Sequence, residues 1–342
     1  MGEAFGSYRV FEQLGLGGMA VVHRAEHTAE DGTRRVVALK RLLPELARDR
    51  SYVRRFVDEA RLGQRLRHAN IIRTFEVGRI EGMHFMALEY VRGPTLLQLL
   101  QGSIGTQPMP LAIALHVITQ VARALAYAHA LRDETGRPLQ LIHRDIAPSN
   151  IIVSDAGATK LIDFGVAKTA VAHVRTNAGC VIGKLGYVAP EYLTGKLDAR
   201  VDLFSLGVVA HELLTARPLF AVGDLRSAEL LRLCAIDPPS SINPSVPAEL
   251  DAIVMTALQH DPDQRWQSAF AMYTALSNFA HETGLAVHDR EVAAWVATDV
   301  DIPRPAPVAA AMPTAELDIE IDIELAFARV VRTRSRDLEI AV

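Results

Sequence analysis

His143-Arg144-Asp145-Ile146-Ala147-Pro148-Ser149-Asn150 is the stretch on which the reading of this chain turns. It sets a carboxylate, Asp145, five residues before an amide, Asn150, in a short loop that follows the apolar pair Leu141-Ile142. Asp163-Phe164-Gly165 begins thirteen residues after Asn150. Chance produces either triplet, H-R-D or D-F-G, alone; both in this order and at this spacing form one signature.

Composition bounds what can be built around that loop. A length of 342 residues fits two compact units, or one large two-lobed domain with an appendage. With 49% hydrophobic and 22% charged residues there is ample material for a core. The net charge of −4 leaves no basic footprint, so nucleic acid is not an expected partner. Two cysteines, Cys180 and Cys234, make no disulfide framework and fit a reducing cytosol, so a cytoplasmic location is expected. The N-terminus has no basic-then-apolar leader, and Gly6 stands where a myristoylation signal needs Ser or Thr. No run of eighteen apolar residues occurs, so no membrane span is expected; the apolar segment 111–130 is broken by His116, Gln120, Arg123 and His129 and reads as a buried helix. None of the twelve histidines forms a metal signature: His211-Glu212-Leu213-Leu214-Thr215 lacks the second His of H-E-x-x-H.

From the N-terminus, residues 8–14 read as a strand running into Gly15-Leu16-Gly17-Gly18-Met19-Ala20-Val21-Val22. Glycines let a hairpin bring backbone N–H groups close to phosphates. A Rossmann or P-loop site needs a helix directly after its glycines. Here the chain continues as strand, over 21–25 and 35–41, and the second strand carries Val37-Ala38-Leu39-Lys40. A helix over 51–66 contains Phe56-Val57-Asp58-Glu59-Ala60. The apolar strand ending Leu88-Glu89-Tyr90-Val91 meets Gly93-Pro94, after which the period becomes helical, at 96–101 and 111–131.

Together these features resemble a bacterial Hanks-type (eukaryotic-like) serine/threonine protein kinase over residues 8 to about 280. The resemblance implies an α+β, bilobal fold: a β-rich N-lobe near 8–90 with a helix, and a mostly helical C-lobe near 91–282. It implies that Mg-ATP is used and that protein Ser or Thr hydroxyls are the acceptors. Asp145 would orient the hydroxyl, Lys40 would reach the α and β phosphates, and Glu59 would partner Lys40, with Asp58 its rival. ATP would lie under Leu14, Gly15, Leu16, Gly17, Gly18, Met19 and Ala20, beside Val22 and Ala38. Leu88 would be the gatekeeper, with Glu89 and Val91 as the hinge. Asn150 and Asp163 would hold Mg2+, with Mn2+ as an alternative. Downstream, Ala189-Pro190-Glu191, Asp202-Leu203-Phe204-Ser205-Leu206-Gly207 and Asp261-Pro262-Asp263-Gln264-Arg265 match further family segments. They imply that Asp202 anchors the catalytic loop and that Arg265 pairs with Glu191. His143 is implied to pack, not to act as a base.

Beside Ala20 for the third glycine and Phe204 for a Trp, two departures from the family matter. Ala147 stands where serine/threonine kinases usually have Lys, and Gly183-Lys184 where they usually have Gly-Thr. Since the family's Lys and Thr are neighbours in space, Lys184 is expected to supply the missing cation; the rival reading has it face solvent or substrate. Ala at 147 also occurs in tyrosine kinases, but Pro148-Ser149 and Gly186-Tyr187-Val188-Ala189 resemble the serine/threonine side. Arg144 is placed to engage a phosphorylated activation segment, whose candidate phosphosites are Thr176 and Thr169. Cys180 in the same segment is expected to be a free thiol.

Closing helices are expected over 243–258 and 268–282, and a short helical extension over 283–299. Pro303, Pro305, Pro307 and Pro313 then mark a Pro/Ala linker, followed to residue 342 by an acidic-then-basic tail. Residues 316–325 alternate acidic and aliphatic, which suits either a docking strand for a partner or a disordered tail. A dimer is left open. The rival to a working kinase is a pseudokinase scaffold that binds nucleotide or partners with little turnover. A small-molecule kinase is the weaker third reading, because those enzymes lack the A-P-E and D-P-x-x-R segments.

Overall fold

The computed structural model describes residues 2–103, 108–164, 182–193, 197–220 and 235–299. Residues 1–304 form one compact unit and 305–342 another. The second unit, together with Thr169, Thr176, Cys180 and Cys234, lies outside the described residues.

Strand alternation builds the smaller lobe. Strands β1 (Glu3–Phe5), β2 (Tyr8–Leu16), β3 (Ala20–Thr28), β4 (Arg34–Leu42), β5 (Thr74–Ile80) and β6 (Met83–Glu89) make one antiparallel sheet, ordered β1-β2-β3-β4-β6-β5. Successive side chains of a strand point to opposite faces. On β4, Val37 and Leu39 join Phe5, Tyr8 and Phe85 in one core cluster. Leu42 turns to the other face, where it meets Phe56, Ala60, Met86 and Leu88. Lys40 shares the parity of Leu42 and is carried to the face that helix α1 (Arg50–Arg65) covers.

Helix α1 begins where the Asp49 carboxylate accepts the Ser51 N–H at 2.7 Å. Phe56, Glu59, Ala60 and Gly63 fall at i, i+3, i+4 and i+7, one face of the helix. Phe56 and Ala60 are buried there. Gly63 sets the closeness of the approach, because a Cβ on it would collide with the Thr74 hydroxyl on β5.

The structure adds β1 ahead of the sheet expected from residue 8. Phe5 meets Phe85 edge-on at 5.7 Å, and Gly6 turns the chain at φ 55°. Three residues offer too few alternations for a sequence pattern to register.

The larger lobe contains helices α2 (Leu96–Ser103), α3 (Leu111–His129), α4 (Arg200–Thr215), α5 (Pro239–Ile242), α6 (Ala248–Ala257), α7 (Ala269–Glu282) and α8 (Asp289–Asp299), with the hairpin β7 (Ile151–Val153) and β8 (Thr159–Leu161). By length and composition α3 could cross a bilayer, yet most of it is buried inside this lobe. The single helix expected over 243–258 is corrected: α5 ends at Ile242, and α6 begins only after Pro247, which is extended at ψ 152°. A proline cannot donate the backbone bond that a continuous helix would need there. Helix α8 shares the main core through Val292 and Val296. Its first carbonyl, of Asp289, lies against Gly157, whose φ of +84° belongs to the β7–β8 turn.

Two buried ionic contacts brace the larger lobe, the first on the loop between α3 and β7. Near the start of α4, the Asp202 carboxylate accepts the backbone N–H of His143 and that of Arg144, each at 2.8 Å, and lies 2.8 Å from His129 Nε2. Arg144 holds φ 65°, a costly conformation for a residue with a Cβ, and the bond to Asp202 fixes it there. Burial works against the Asp202 charge, but the His129 ring and the backbone donors outweigh it and keep the carboxyl below its usual range. Further on, Arg265 pairs bidentately with Glu191 at 2.7 and 2.8 Å, over the ring of Phe204.

Two substitutions should expose these constraints. Gly63→Ala should lower stability by about 1–3 kcal/mol through overpacking against Thr74, measured as the urea midpoint. Asp202→Asn should cost about 3 kcal/mol at neutral pH. A carboxyl whose folded pKa is depressed stabilises fully above its unfolded value and loses that contribution as pH falls through the folded value. The gap between wild type and Asp202→Asn should therefore hold at neutral pH and narrow once the pH drops below the ordinary 3.8.

Candidate active site

Lys40 is where the two lobes meet chemically. Its Nζ donates to Glu59 Oε1 at 2.7 Å and to Asp163 Oδ1 at 2.8 Å, and only 8% of the side chain is exposed. Asp58, the rival of Glu59, is half-exposed and lies 3.7 Å from Arg54 on the outer side of α1. Burial opposes the Lys40 charge, but Asp163 and Glu59 prevail and hold its pKa above the ordinary value. Burial would likewise raise Asp163; Lys40, with help from Lys184, keeps it below the usual carboxylate range.

Asp163 reaches Lys40 from a left-handed backbone, φ 54°. The next side chain, Phe164, is buried with its ring 4.4 Å from that of His143. His143 has no exposed surface. Its Nδ1 accepts the Asp145 N–H at 3.2 Å and its Nε2 lies 3.2 Å from the Ile162 carbonyl. Closed on both ring nitrogens, it shapes the loop and cannot reach an acceptor hydroxyl.

Asp145 and Asn150 face each other across that loop. Asn150 Nδ2 donates to the Asp145 carbonyl at 2.7 Å and to Oδ2 at 2.6 Å, which leaves Asn150 Oδ1 facing Lys184. Lys184 comes from the 3-10 turn Ile182–Tyr187. Its Nζ donates to Asp145 Oδ2 at 2.9 Å, with Asn150 Oδ1 at 3.4 Å. Ala147 is buried.

The glycine hairpin forms a bare roof. Gly17 N–H donates to the Ala20 carbonyl at 2.9 Å. A Cβ on Gly15 or Gly18 would meet nothing within 4 Å, so no packing contact inside the protein demands glycine there. Leu14 and Leu16 are exposed, Met19 and Ala20 pack on the α1 face beside Ala38, and Val22 lies opposite Lys40 in the β3–β4 register. Leu88 is buried on the same face, while the Glu89 carboxylate is held by Lys160 at 2.7 Å and the Arg73 N–H at 3.1 Å. Val91 follows where the sheet ends.

These residues fit a nucleoside triphosphate with a divalent ion. A bare backbone next to a buried ammonium suits phosphate, and Asp163 and Asn150 offer the hard oxygens such an ion prefers. Among the described residues no group of three or more His, Cys, Asp and Glu could hold a metal. An open groove of about 510 Å3, lined in part by Arg50, Arg54, Arg61 and Arg79, lies on the side of α1 away from Glu59.

Sequence reasoning missed three supporting residues. His129 reads as an interruption of an apolar helix, yet it is the ring beside Asp202. Tyr187 OH donates to Glu212 Oε2 at 2.7 Å, and Tyr192 OH to the Arg144 carbonyl at 3.4 Å. Burial raises the Glu212 pKa, against the bonds from Tyr187 and the Leu219 N–H. The available signal was a polar residue inside an otherwise apolar stretch, since a buried polar group needs a partner. Thr169 and Thr176 lie outside the described residues.

Comparison with known proteins places this geometry. The family model for the protein kinase domain matches residues 8–276. The tyrosine-protein kinase MasK of Myxococcus xanthus is 38% identical over 283 residues, covering 82% of this chain and 44% of MasK. The serine/threonine-protein kinase PknJ of Mycobacterium tuberculosis is 35% identical over 303 residues, covering 86% and 48%. The corresponding values for PrkC of Bacillus subtilis, also a serine/threonine-protein kinase, are 34%, 77% and 39%. The chain thus spans less than half the length of these curated relatives. Among solved structures, the kinase domain of Mycobacterium tuberculosis PknI is 28% identical, covers 81% of this chain and 97% of its own, and superposes with a TM-score of 0.60. On the family match, the relatives and the bilobal architecture together, this chain belongs to the protein kinase family.

Proposed function

We propose that this protein transfers the γ-phosphoryl group of ATP to serine or threonine hydroxyls of proteins. The observation that carries the reading is Lys40 Nζ, held at 2.7 Å from Glu59 and 2.8 Å from Asp163, residues 19 and 123 positions away. That contact joins the smaller lobe to the loop after β8, which carries Asp163. The γ-phosphorus–oxygen bond to the leaving ADP breaks as the acceptor oxygen forms its own bond to phosphorus. ADP keeps the electron pair and the hydroxyl proton passes to Asp145, whose Oδ2 is fixed by Asn150. Lys40 binds the α and β phosphates, and the glycine hairpin covers them. A divalent ion, Mg2+ in our reading with Mn2+ as the alternative, supplies charge neutralisation at the phosphates from Asn150 and Asp163.

Two of the three relatives bear a serine/threonine name and one a tyrosine name. Pro148-Ser149 and the sequence before Ala189-Pro190-Glu191 favour the serine/threonine acceptor here. Retention of Lys40, Asp145, Asn150 and Asp163 speaks against a silent scaffold. Autophosphorylation at Thr176 or Thr169, engaged by Arg144, belongs to the same reading, as do a cytoplasmic location, where ATP is supplied, and a docking role for residues 316–342.

Incubation with γ-labelled ATP and Mg2+ or Mn2+, followed by phosphoamino-acid analysis and mass mapping, tests the proposal. Label in phosphoserine or phosphothreonine is expected, with a fall of at least about 1,000-fold for Asp145→Asn and for Lys40→Met. Phosphotyrosine alone would move the acceptor. No label with either metal, while nucleotide still binds, would sink the phosphotransferase reading.

A further inference from the structure

We propose that Lys184, from the segment after the activation loop, is the cation that meets the transferring phosphoryl group, replacing a lysine that the catalytic loop lacks. The inference rests on the phosphotransferase reading above and adds a residue to it. The loop position two residues past Asp145 is Ala147, a buried methyl group that can carry no charge to the site. Lys184 Nζ instead stands over the acceptor end of the site, 2.9 Å from Asp145 Oδ2 and 3.4 Å from Asn150 Oδ1.

Charge distribution separates the two lysines. Lys40 is 8% exposed and is held by two carboxylates, Glu59 and Asp163. Lys184 is 38% exposed, with a carboxylate bond to Asp145 and a longer amide contact. An ammonium has three donors, so Lys184 can keep Asp145 in place and still offer a proton to a phosphoryl oxygen. Phosphoryl transfer depends on such prepositioned charge, because little covalent work is left to the protein.

The turn that presents Lys184 is fixed at both its side chains and its backbone. Leu185 is buried. The Tyr187 carbonyl accepts from Ser205 Oγ at 2.7 Å, and its hydroxyl donates to Glu212 at 2.7 Å. A lysine placed only to meet solvent would need neither these anchors nor the contact with Asp145.

Lys184→Ala and Lys184→Arg, compared with wild type, test the assignment through rate and through binding of ADP and of a non-hydrolysable β,γ-imido ATP analogue. Lys184→Ala should lower kcat by at least about 100-fold. It should leave ADP affinity within about twofold and weaken the analogue by about fivefold or more, because ADP lacks the phosphate that Lys184 meets. Lys184→Arg should keep at least about a tenth of the rate, since the charge survives. Turnover of Lys184→Ala within about threefold of wild type would overturn the proposal, as would equal losses of ADP and analogue affinity. A loss in Lys184→Arg as deep as in Lys184→Ala would overturn the charge argument. Should wild type itself fail to turn over, the phosphotransferase reading falls, and the ratio of ADP to analogue affinity still decides the place of Lys184.

Discussion

The loop that carries Asp145 has only the short 3-10 turn Pro148–Asn150 of its own to keep it still, and a buried carboxylate holds the rest. Asp202 takes the N–H groups of His143 and Arg144 and sits beside His129, with 1% of its surface exposed. Removing such a charge from water is expensive, and the position is tolerable only because donors surround it. The return is geometric. The left-handed Arg144 is held, the chain reverses, and Asp145 and Asn150 end up facing each other. The loop is thereby tied to the core helix α4 from which Asp202 projects, and every residue of α4 from Val201 to Thr215 is buried.

The second organising constraint is parity in β4. Because side chains alternate across a strand, the apolar residues Val37 and Leu39 can fill one core while Lys40 goes to the other face. There it meets a helix whose own period brings Glu59 to the same side as Phe56 and Ala60. The ammonium is stable in burial because it has two carboxylates. The second, Asp163, comes from the larger lobe, so the pairing ties the sheet to the loops that hold the chemistry. Shift α1 by one residue and Asp58, on another face, would take the place of Glu59.

The turn Ile182–Tyr187 shows how a site can be completed from a distance. The larger-lobe core grips it through Leu185, Ser205 and Glu212, and it delivers an ammonium to Asp145 from 39 residues away in sequence. The same core explains the Arg265–Glu191 pair, in which an arginine with no exposed side-chain surface closes the segment that follows. Each of these contacts spans a long sequence separation, so each depends on the lobe being folded.

By itself the sequence, through its resemblance to the kinase family, implied the bilobal α+β plan and pointed to Lys40, Asp145, Asn150 and Asp163. Motif spacing is local, and alternation or helical period along one segment is enough to say which residues face inward. Against the family pattern it also marked Ala147 as a position without the usual lysine. Tertiary structure alone decided the rest. It put His129 beside Asp202, added β1 through Phe5, broke the helix at Pro247, and drew α8 into the core through Val292 and Val296. The physical reason is the same in each case. Which partner a buried polar or apolar group finds is settled by elements that are neighbours only in space, and no pattern within a single segment records them.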